Sequence, residues 1–516
     1  MTPIETIHRA ARARPLARRA AAAVAAAAVM AAAGCKDSNV PFFTAPTSVD
    51  NTPAGIQNAV TGLFAATRID MVTFVTTVAA GYARDGAVFT NTEARTVEYP
   101  LGVFPTPNTS GSIWAQEYQN ITQAHQVLAA VPKVAPAYTA AQAAAMVGML
   151  QTYIAYEYMM IAEAHDTLGL AIEGATIPNS PPPAVCNKDA WAYIVALLDS
   201  ANTSLTAAGP TPIPVALPSG FSGIAAAAGP STTLGTFASF NRALAAKANL
   251  ELAYAKARGP GGVAPTASTP GSPDAAALNT ALKDLTASAM YNPAAALAPD
   301  PVGGFSPGPY VVTHDFSGTS GDLVNPVHGE IGTLAQLNDF VAAVDTVNDL
   351  RWKAKFALNP NKVQQQLYNP VASKYIPSMY PTTGSPIPIV REVQLFLWHA
   401  QIELGLGNLA AALAEVDSIR SVVGGPALTP YPLTDAASYV QTRNDLLQEQ
   451  RISTTWEASA DRTISLRMYG LAAVADTTWN GKEDPAVGAV DVHTTVNPIP
   501  QTELLGRGGS FTTTCQ

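Results

Sequence analysis

Charge is what this sequence has least of. Asp, Glu, Lys and Arg make up 13% of its 516 residues, against 48% hydrophobic residues. A chain so poor in charge and rich in apolar side chains can build a sizeable core, which excludes global disorder. The net charge is −9, and basic residues cluster near the N-terminus (Arg9, Arg12, Arg14, Arg18, Arg19). The rest is therefore more acidic still, which argues against a nucleic-acid partner. Common enzyme motifs are missing too. There is no His-Glu-x-x-His zinc helix and no G-x-S-x-G nucleophile elbow. Gly405-x-Gly407 mimics a dinucleotide fingerprint but joins two helical segments and follows no strand, so it reads as a turn. Glu163, His165 and Asp166 read as a polar helix end, since adjacent positions point to different helix faces. The sequence implies no cofactor and no metal. A glycosidase carboxylate pair needs only spatial proximity of about 5–10 Å, so the sequence leaves that class open.

What is present starts at the N-terminus. The arginines precede an alanine/valine run from Ala20 to Ala33, closed by Gly34-Cys35. A basic segment, a short apolar segment and a small-residue cleavage site make a secretory signal over residues 1–34. The run is short for a bilayer span, which needs about 20 residues, and no later stretch reads as long enough. Cysteine directly after the small residues resembles the lipobox of bacterial lipoproteins, with Ala32 where leucine is usual. That resemblance implies an acylated Cys35 as the mature N-terminus and lipid anchor. Residues 35–53 read as a tether (Pro41, Pro46, Pro53). Cys186 and Cys515 are then left in an oxidising compartment. They form either one disulfide, contributing roughly 4–5 kcal/mol by loop closure, or two unpaired thiols.

The body, residues 54–516, reads as mainly helical. Ile56, Val60, Leu63 and Phe64 share one face of a helix near 55–70. Trp114, Tyr118, Ile121, His125 and Leu128 make a second stripe, stopped by Pro132. Further helices are expected at about 139–165, from 189, at 239–257, from 391, at 409–421 and over about 435–460. Between them, residues 258–385 form a Gly/Pro/Ser/Thr-rich insertion. It carries helical patches at 274–289 and 330–343 and strand-like pieces at 309–313 and 364–368. The helical scaffold is thus 54–257 and 386–470, with an irregular tail over 471–516. Helix, Gly turn, Ala-rich helix around Gly405–Gly407 has the look of a tetratricopeptide-like pair. Such pairs bury their stripes against neighbours, which favours a superhelical stack.

Weak motifs in a consistent order carry a second resemblance. They are Trp114-x3-Tyr118-x2-Ile121, Ser239 to Leu250, Asn348-Asp349-Leu-Arg351, Lys374-Tyr375, and Arg391-Glu-Val-x-Leu395 through Gly407-Asn408 to Ile419-Arg420. Glu449 to Arg467 matches with a two-residue insertion, and Asn497-Pro-Ile-Pro-Gln-Thr-Glu503 closes the series. Together with the signal, the chain resembles the SusD/RagB-like outer-membrane nutrient-binding lipoproteins. The resemblance implies a tetratricopeptide-like helical scaffold with a loop-built ligand face. It also implies an outer-membrane location facing the cell exterior and a SusC-like TonB-dependent barrel as partner. The implied ligand is a glycan or, less commonly, a peptide.

Sugar rings pack their C–H faces on aromatic rings, and their hydroxyls need polar partners, so aromatics on loops are informative. Trp114, Tyr118, Trp191, Trp398 and Trp456 lie in helical stripes and are assigned to the core. The first loop region offers Tyr82, Arg84, Asp85, Phe89, Asn91, Tyr99 and Phe104. The second offers Tyr310, His314, Asp315 and Phe316. Each is a candidate ligand contact, and each is also a candidate loop pin. The leading reading is a non-enzymatic binding lipoprotein. The alternatives are a lipid-anchored hydrolase and a tetratricopeptide-like assembly scaffold without a small ligand.

Overall fold

Thr52 opens the folded body: its hydroxyl accepts the Gly55 N–H, and Pro53 occupies the first turn of α1 (Pro53–Ala66). That is a capped start, since the side-chain oxygen satisfies an orphan amide and proline's missing N–H costs nothing there. α1 buries Ile56, Val60, Leu63 and Phe64, the face its periodicity names. The computed structural model describes residues 49–83, 85–88, 113–134, 137–172, 182–232, 235–292, 310–319, 321–329, 334–336, 341, 344–358, 375–425, 428, 430–433, 435–472, 496–511 and 513. Residues Asp50–Gln516 form one compact unit.

Nine more helices continue the stack. They are α2 (Ala115–Ala130), α3 (Ala140–His165), α4 (Asn187–Ala208), α5 (Phe237–Arg258), α6 (Ala275–Ala287), α7 (Glu392–Gly405), α8 (Leu409–Val423), α9 (Ala436–Thr454) and α10 (Asp461–Met468). Each packs against the next in chain order. This nearest-neighbour pattern is that of a helical solenoid, so the fold is mainly α and tetratricopeptide-like. Thr139 and Gln142 form a reciprocal capping box at the start of α3. Gly407 takes φ +83° between α7 and α8, so the glycine pair is a turn. Trp114, Trp191, Trp398 and Trp456 are all buried.

The described residues form four two-stranded antiparallel sheets, β1 (Gly86–Val88) with β5 (Leu334–Gln336), β2 (Leu170–Ala171) with β3 (Ala184–Val185), β4 (Val311–His314) with β8 (Ile387–Arg391), and β6 (Phe356–Leu358) with β7 (Tyr375–Pro377); all but β2–β3 involve the loop-rich region. β8 runs directly into α7, so the β4–β8 pairing ties residues 311–314 to the scaffold.

Two expectations change, and a third falls outside the described residues. Within the helical patch expected at 330–343, residues 334–336 form strand β5, and a four-residue helix, Pro326–Gly329, precedes the patch. The strand-like piece at 364–368 lies outside the described residues. The single long helix over 435–460 is broken: α9 ends at Thr454 and α10 starts at Asp461. Trp456, fully buried, sits between them at φ +63°. The break falls within the Glu449–Arg467 match, where the sequence needs two extra residues.

A segment not foreseen follows α1. Residues Met71–Gly81 continue as helix with π-type hydrogen bonding from Phe74, and every side chain from Phe74 to Gly81 is buried. From Phe74 to Gly81 it is uncharged and buried on every face, so it shows no amphipathic stripe. By length and composition alone, Pro53–Gly81 would cross a membrane, contrary to the reading that nothing after Cys35 is apolar enough; most of it is buried inside the body.

Many charges among the described residues form buried pairs. Glu457 accepts from Lys355 Nζ at 2.7 Å and from Arg391 Nη2 at 2.7 Å and Nε at 3.0 Å. Arg351 pairs with Asp349 and Glu449. Lys247 bridges Glu163 at 2.7 Å and Asp461 at 2.9 Å. The motif residues Arg351, Arg391, Glu449 and Glu457 are therefore interior ties between the inserted lobe, the end of β8, α9 and the break that follows it.

Candidate functional site

Three segments far apart in sequence meet around one cleft of about 320 Å³. α1 supplies Thr61 and Phe64, and the turn after it supplies Arg68. A short helical turn at Ser219–Phe221 follows Pro218. The end of β4 and its continuation supply Thr313 through Ser317, then Asp322. Close approach of the second and third segments depends on Gly220, where a Cβ would lie 2.1 Å from the Thr313 carbonyl oxygen.

The polar groups are held by one another. Asp315 Oδ2 accepts from Ser219 Oγ at 2.6 Å and from the Gly220 N–H at 2.5 Å, and Thr313 Oγ1 donates to Oδ1 at 3.0 Å. Arg68 forks onto Asp322, with Nη2–Oδ1 at 2.7 Å and Nη1–Oδ2 at 3.2 Å, and Nη1 also donates to the Asp315 carbonyl at 2.5 Å. Its guanidinium lies 5.5 Å from the centroid of the Phe316 ring, within cation–π range. Hydrogen bonds from Arg68 and Ser317 hold the Asp322 carboxyl below the usual carboxylate range. His314 is buried, with Nε2 3.0 Å from the Tyr156 hydroxyl. Burial and then the Arg68 charge lower its pKa to about 3, so it is neutral at neutral pH.

The cleft thus joins apolar walls (Phe64, Pro218, Phe221) to a rim of hydroxyls, two carboxylates and one guanidinium. Behind it lies a smaller aromatic cavity lined by Phe64, Thr67, Tyr153, Phe221 and His314. Such a surface can pack the C–H face of a ring and hydrogen-bond its hydroxyls. A glycosidase needs a carboxylic acid kept protonated near neutral pH. Asp322 is shifted the other way, and the buried His314 is neutral at neutral pH.

His314, Asp315 and Phe316 all border this cleft, although Phe316 is 5% exposed and lies under Arg68. Tyr310 sits half-buried at the turn before β4. Tyr82 and Asp85 are interior. The Tyr82 hydroxyl donates to Asn497 Oδ1 at 2.5 Å, and Asp85 pairs with Arg451 at 2.7 Å and Arg462 at 3.3 Å. Both pin the chain to α9, α10 and the tail. Arg84, Phe89, Asn91, Tyr99 and Phe104 lie outside the described residues, as do Cys35, Cys515 and Lys374. Cys186 is disulfide-bonded. Among the described residues no group of three or more His, Cys, Asp or Glu could hold a metal ion. Sequence reasoning missed Thr61, Phe64, Arg68, Phe221 and Asp322. Phe221 carried a usable signal, an aromatic within a Pro-Ser-Gly loop.

No protein-family model and no curated protein sequence matches the chain. Solved structures do. A SusD superfamily protein from Bacteroides fragilis superposes with a TM-score of 0.64 at 14% identity, covering 88% of this chain and 97% of that one. B. fragilis NanU gives 0.62 at 15% identity, with 91% and 99% covered. Surface glycan-binding protein A from Bacteroides uniformis gives 0.62 at 13% identity, with 89% and 99% covered. With nearly the whole of both chains superposed each time, the fold of this protein is that of the SusD superfamily.

Proposed function

We propose that this protein is a surface-exposed outer-membrane lipoprotein that binds an oligosaccharide and delivers it to a TonB-dependent transporter. The observation that carries the reading is the end-to-end similarity to SusD-type structures, one of them named as a surface glycan-binding protein. The cleft adds chemical support. Its aromatic walls suit the C–H face of a sugar, and its carboxylates and hydroxyls suit sugar hydroxyl groups.

In this reading the ligand sits between α1, Ser219–Phe221 and the residues after β4. Arg84, Phe89, Asn91, Tyr99 and Phe104 extend the face, with Tyr310 at its border. Acylated Cys35 anchors the body through the 35–53 tether, and a SusC-like barrel takes the ligand. Tethering raises the local concentration of the body at that partner. Binding proceeds without bond cleavage.

The test is incubation of the mature protein with a panel of plant and host glycans, with binding and products followed together. Retention of at least one oligosaccharide with no shortened product supports the reading. Release of shorter sugars, abolished by Asp315→Asn or Asp322→Asn, would favour a hydrolase. No binding to any glycan, with a peptide library binding instead, would replace the ligand class.

A further inference from the structure

Where the turn after α1 meets α2 and α3, three carboxylates share the interior. Glu117 is 1% exposed and Glu157 is 0% exposed. Asp70 is half-buried, but its Oδ2 atom is buried without a hydrogen-bond partner, as is Oε2 of Glu117. Glu157 accepts from neutral donors, Thr67 Oγ1 at 2.6 Å and Asn120 Nδ2 at 3.3 Å. The groups facing the cluster are Thr67 and Asp70 from the turn, Glu117 and Asn120 from α2, and Tyr153, Tyr156 and Glu157 from α3. Arg68, next in sequence to Thr67, is committed to Asp322. Among the described residues, no Lys, Arg or His forms an ion pair with any of the three carboxylates.

Buried, mutually repelling carboxylates without a cation take up protons and do not stay charged. Burial, then repulsion from Asp70 and Glu157, pushes Glu117 well above the usual carboxylate range. Burial pushes Glu157 up to about 7 and Asp70 up to about 6. Carboxylates that raise one another's pKa in this way titrate as a coupled set. The unit also touches the cleft. The Thr67 hydroxyl lies 2.5 Å from that of Tyr153, and both line the aromatic cavity behind Phe64 and His314.

We propose that Asp70, Glu117 and Glu157 form a proton-binding corner that holds the α1–α2–α3 junction, and with it the rear wall of the cleft, when protonated and loosens it when ionised. The inference does not depend on what the cleft binds. A carboxylate that holds its proton more tightly when folded binds more protons in the native state, so stability falls as pH rises. The fall starts at about pH 4, where unfolded carboxylates ionise, and continues through about pH 7, where Glu157 ionises, for as long as Glu117 keeps its proton.

Two measurements on the full-length protein in mild detergent test this. Infrared spectroscopy at about pH 6, well above an ordinary carboxylate pKa, should show a protonated-carboxyl band that Glu117→Gln diminishes. The urea midpoint should fall from about pH 5 to about pH 8, with a shallower fall in Glu117→Gln and in Glu157→Gln. Should Glu117→Gln fail to fold, Asp70→Asn and Glu157→Gln report on the same band and slope. A missing band, or midpoint slopes equal to the parent's in the folded variants, overturns the proposal.

Discussion

Glu457→Gln is the substitution that should cost this fold most. Glu457 is fully buried and takes three hydrogen bonds from two cations, Lys355 and Arg391. Gln keeps the shape but removes the charge and turns an amide donor toward two donors. Both cations also donate to the Ser453 carbonyl, Lys355 Nζ at 2.5 Å and Arg391 Nη2 at 2.9 Å, but a neutral carbonyl does not replace the lost carboxylate charge. Breaking a buried pair from one side costs about 3–5 kcal/mol, a large share of the roughly 5–15 kcal/mol that holds a domain together. Lys355 gives the loss a pH signature. Burial already pushes its pKa down to about 8, opposed by Glu457. A depressed lysine binds fewer protons folded than unfolded, so stability in the parent rises from pH about 8 toward the unfolded value of about 10.4. Without Glu457 the folded pKa drops further, and the rise begins at lower pH. Equilibrium urea unfolding across pH 6 to 10 is the assay. A loss below about 1 kcal/mol, the scale of an exposed pair, or an unchanged onset of the rise, would refute the reasoning. Replacing Lys355, Arg391 and Glu457 together by Met, Met and Leu should recover much of the loss, because no buried charge is then left unpaired.

Other outcomes follow from the same structure. Gly86→Ala places a Cβ 2.1 Å from Cζ2 of the buried Trp456, so a loss of about 1–3 kcal/mol by overpacking is expected in calorimetry; a neutral result would mean that Trp456 yields easily. Peptide mapping without reductant should join the Cys186 peptide to the Cys515 peptide, and a Cys186–Cys35 link would contradict both the pairing and the lipid anchor. Cys35→Ala should move the protein from membrane to soluble fractions, while persistent membrane association would sink the anchor assignment. Mild detergent extraction should co-purify a TonB-dependent barrel with the parent protein, and its consistent absence would count against the partner.

Much of the scaffold could be read from the sequence because helical stripes report burial directly. Ile56, Val60, Leu63 and Phe64 recur at helical spacing and are buried together. The Thr139–Gln142 capping box and the Gly405–Gly407 turn are local signals as well. Legibility fails where long-range contacts decide the backbone. Residues 455–460 break a helix that propensity would continue, and the buried Trp456 and Glu457 lie in that break. The candidate site is harder for a similar reason. Tyr82 and Asp85 follow an uncharged segment, Phe74–Gly81, that is wholly buried, so their polar atoms turn inward to Asn497, Arg451 and Arg462. Composition does not separate such pins from exposed contacts. Thr61, Phe64 and Arg68 look like an ordinary helix end until Ser219–Phe221 and Asp315–Asp322 arrive beside them.

The most direct test of the account is calorimetric titration of the mature protein with an oligosaccharide chosen by glycan-array screening, comparing the parent with Arg68→Ala. Arg68 joins the Asp322 carboxylate, the Asp315 carbonyl and the Phe316 ring in the cleft. Its loss is therefore expected to weaken binding at least about tenfold, or about 1.4 kcal/mol, with the fold intact by circular dichroism. Oligosaccharide binding of equal affinity in the two proteins would contradict the placement of the ligand in this cleft, and failure of the parent to bind any glycan would contradict the proposed function itself.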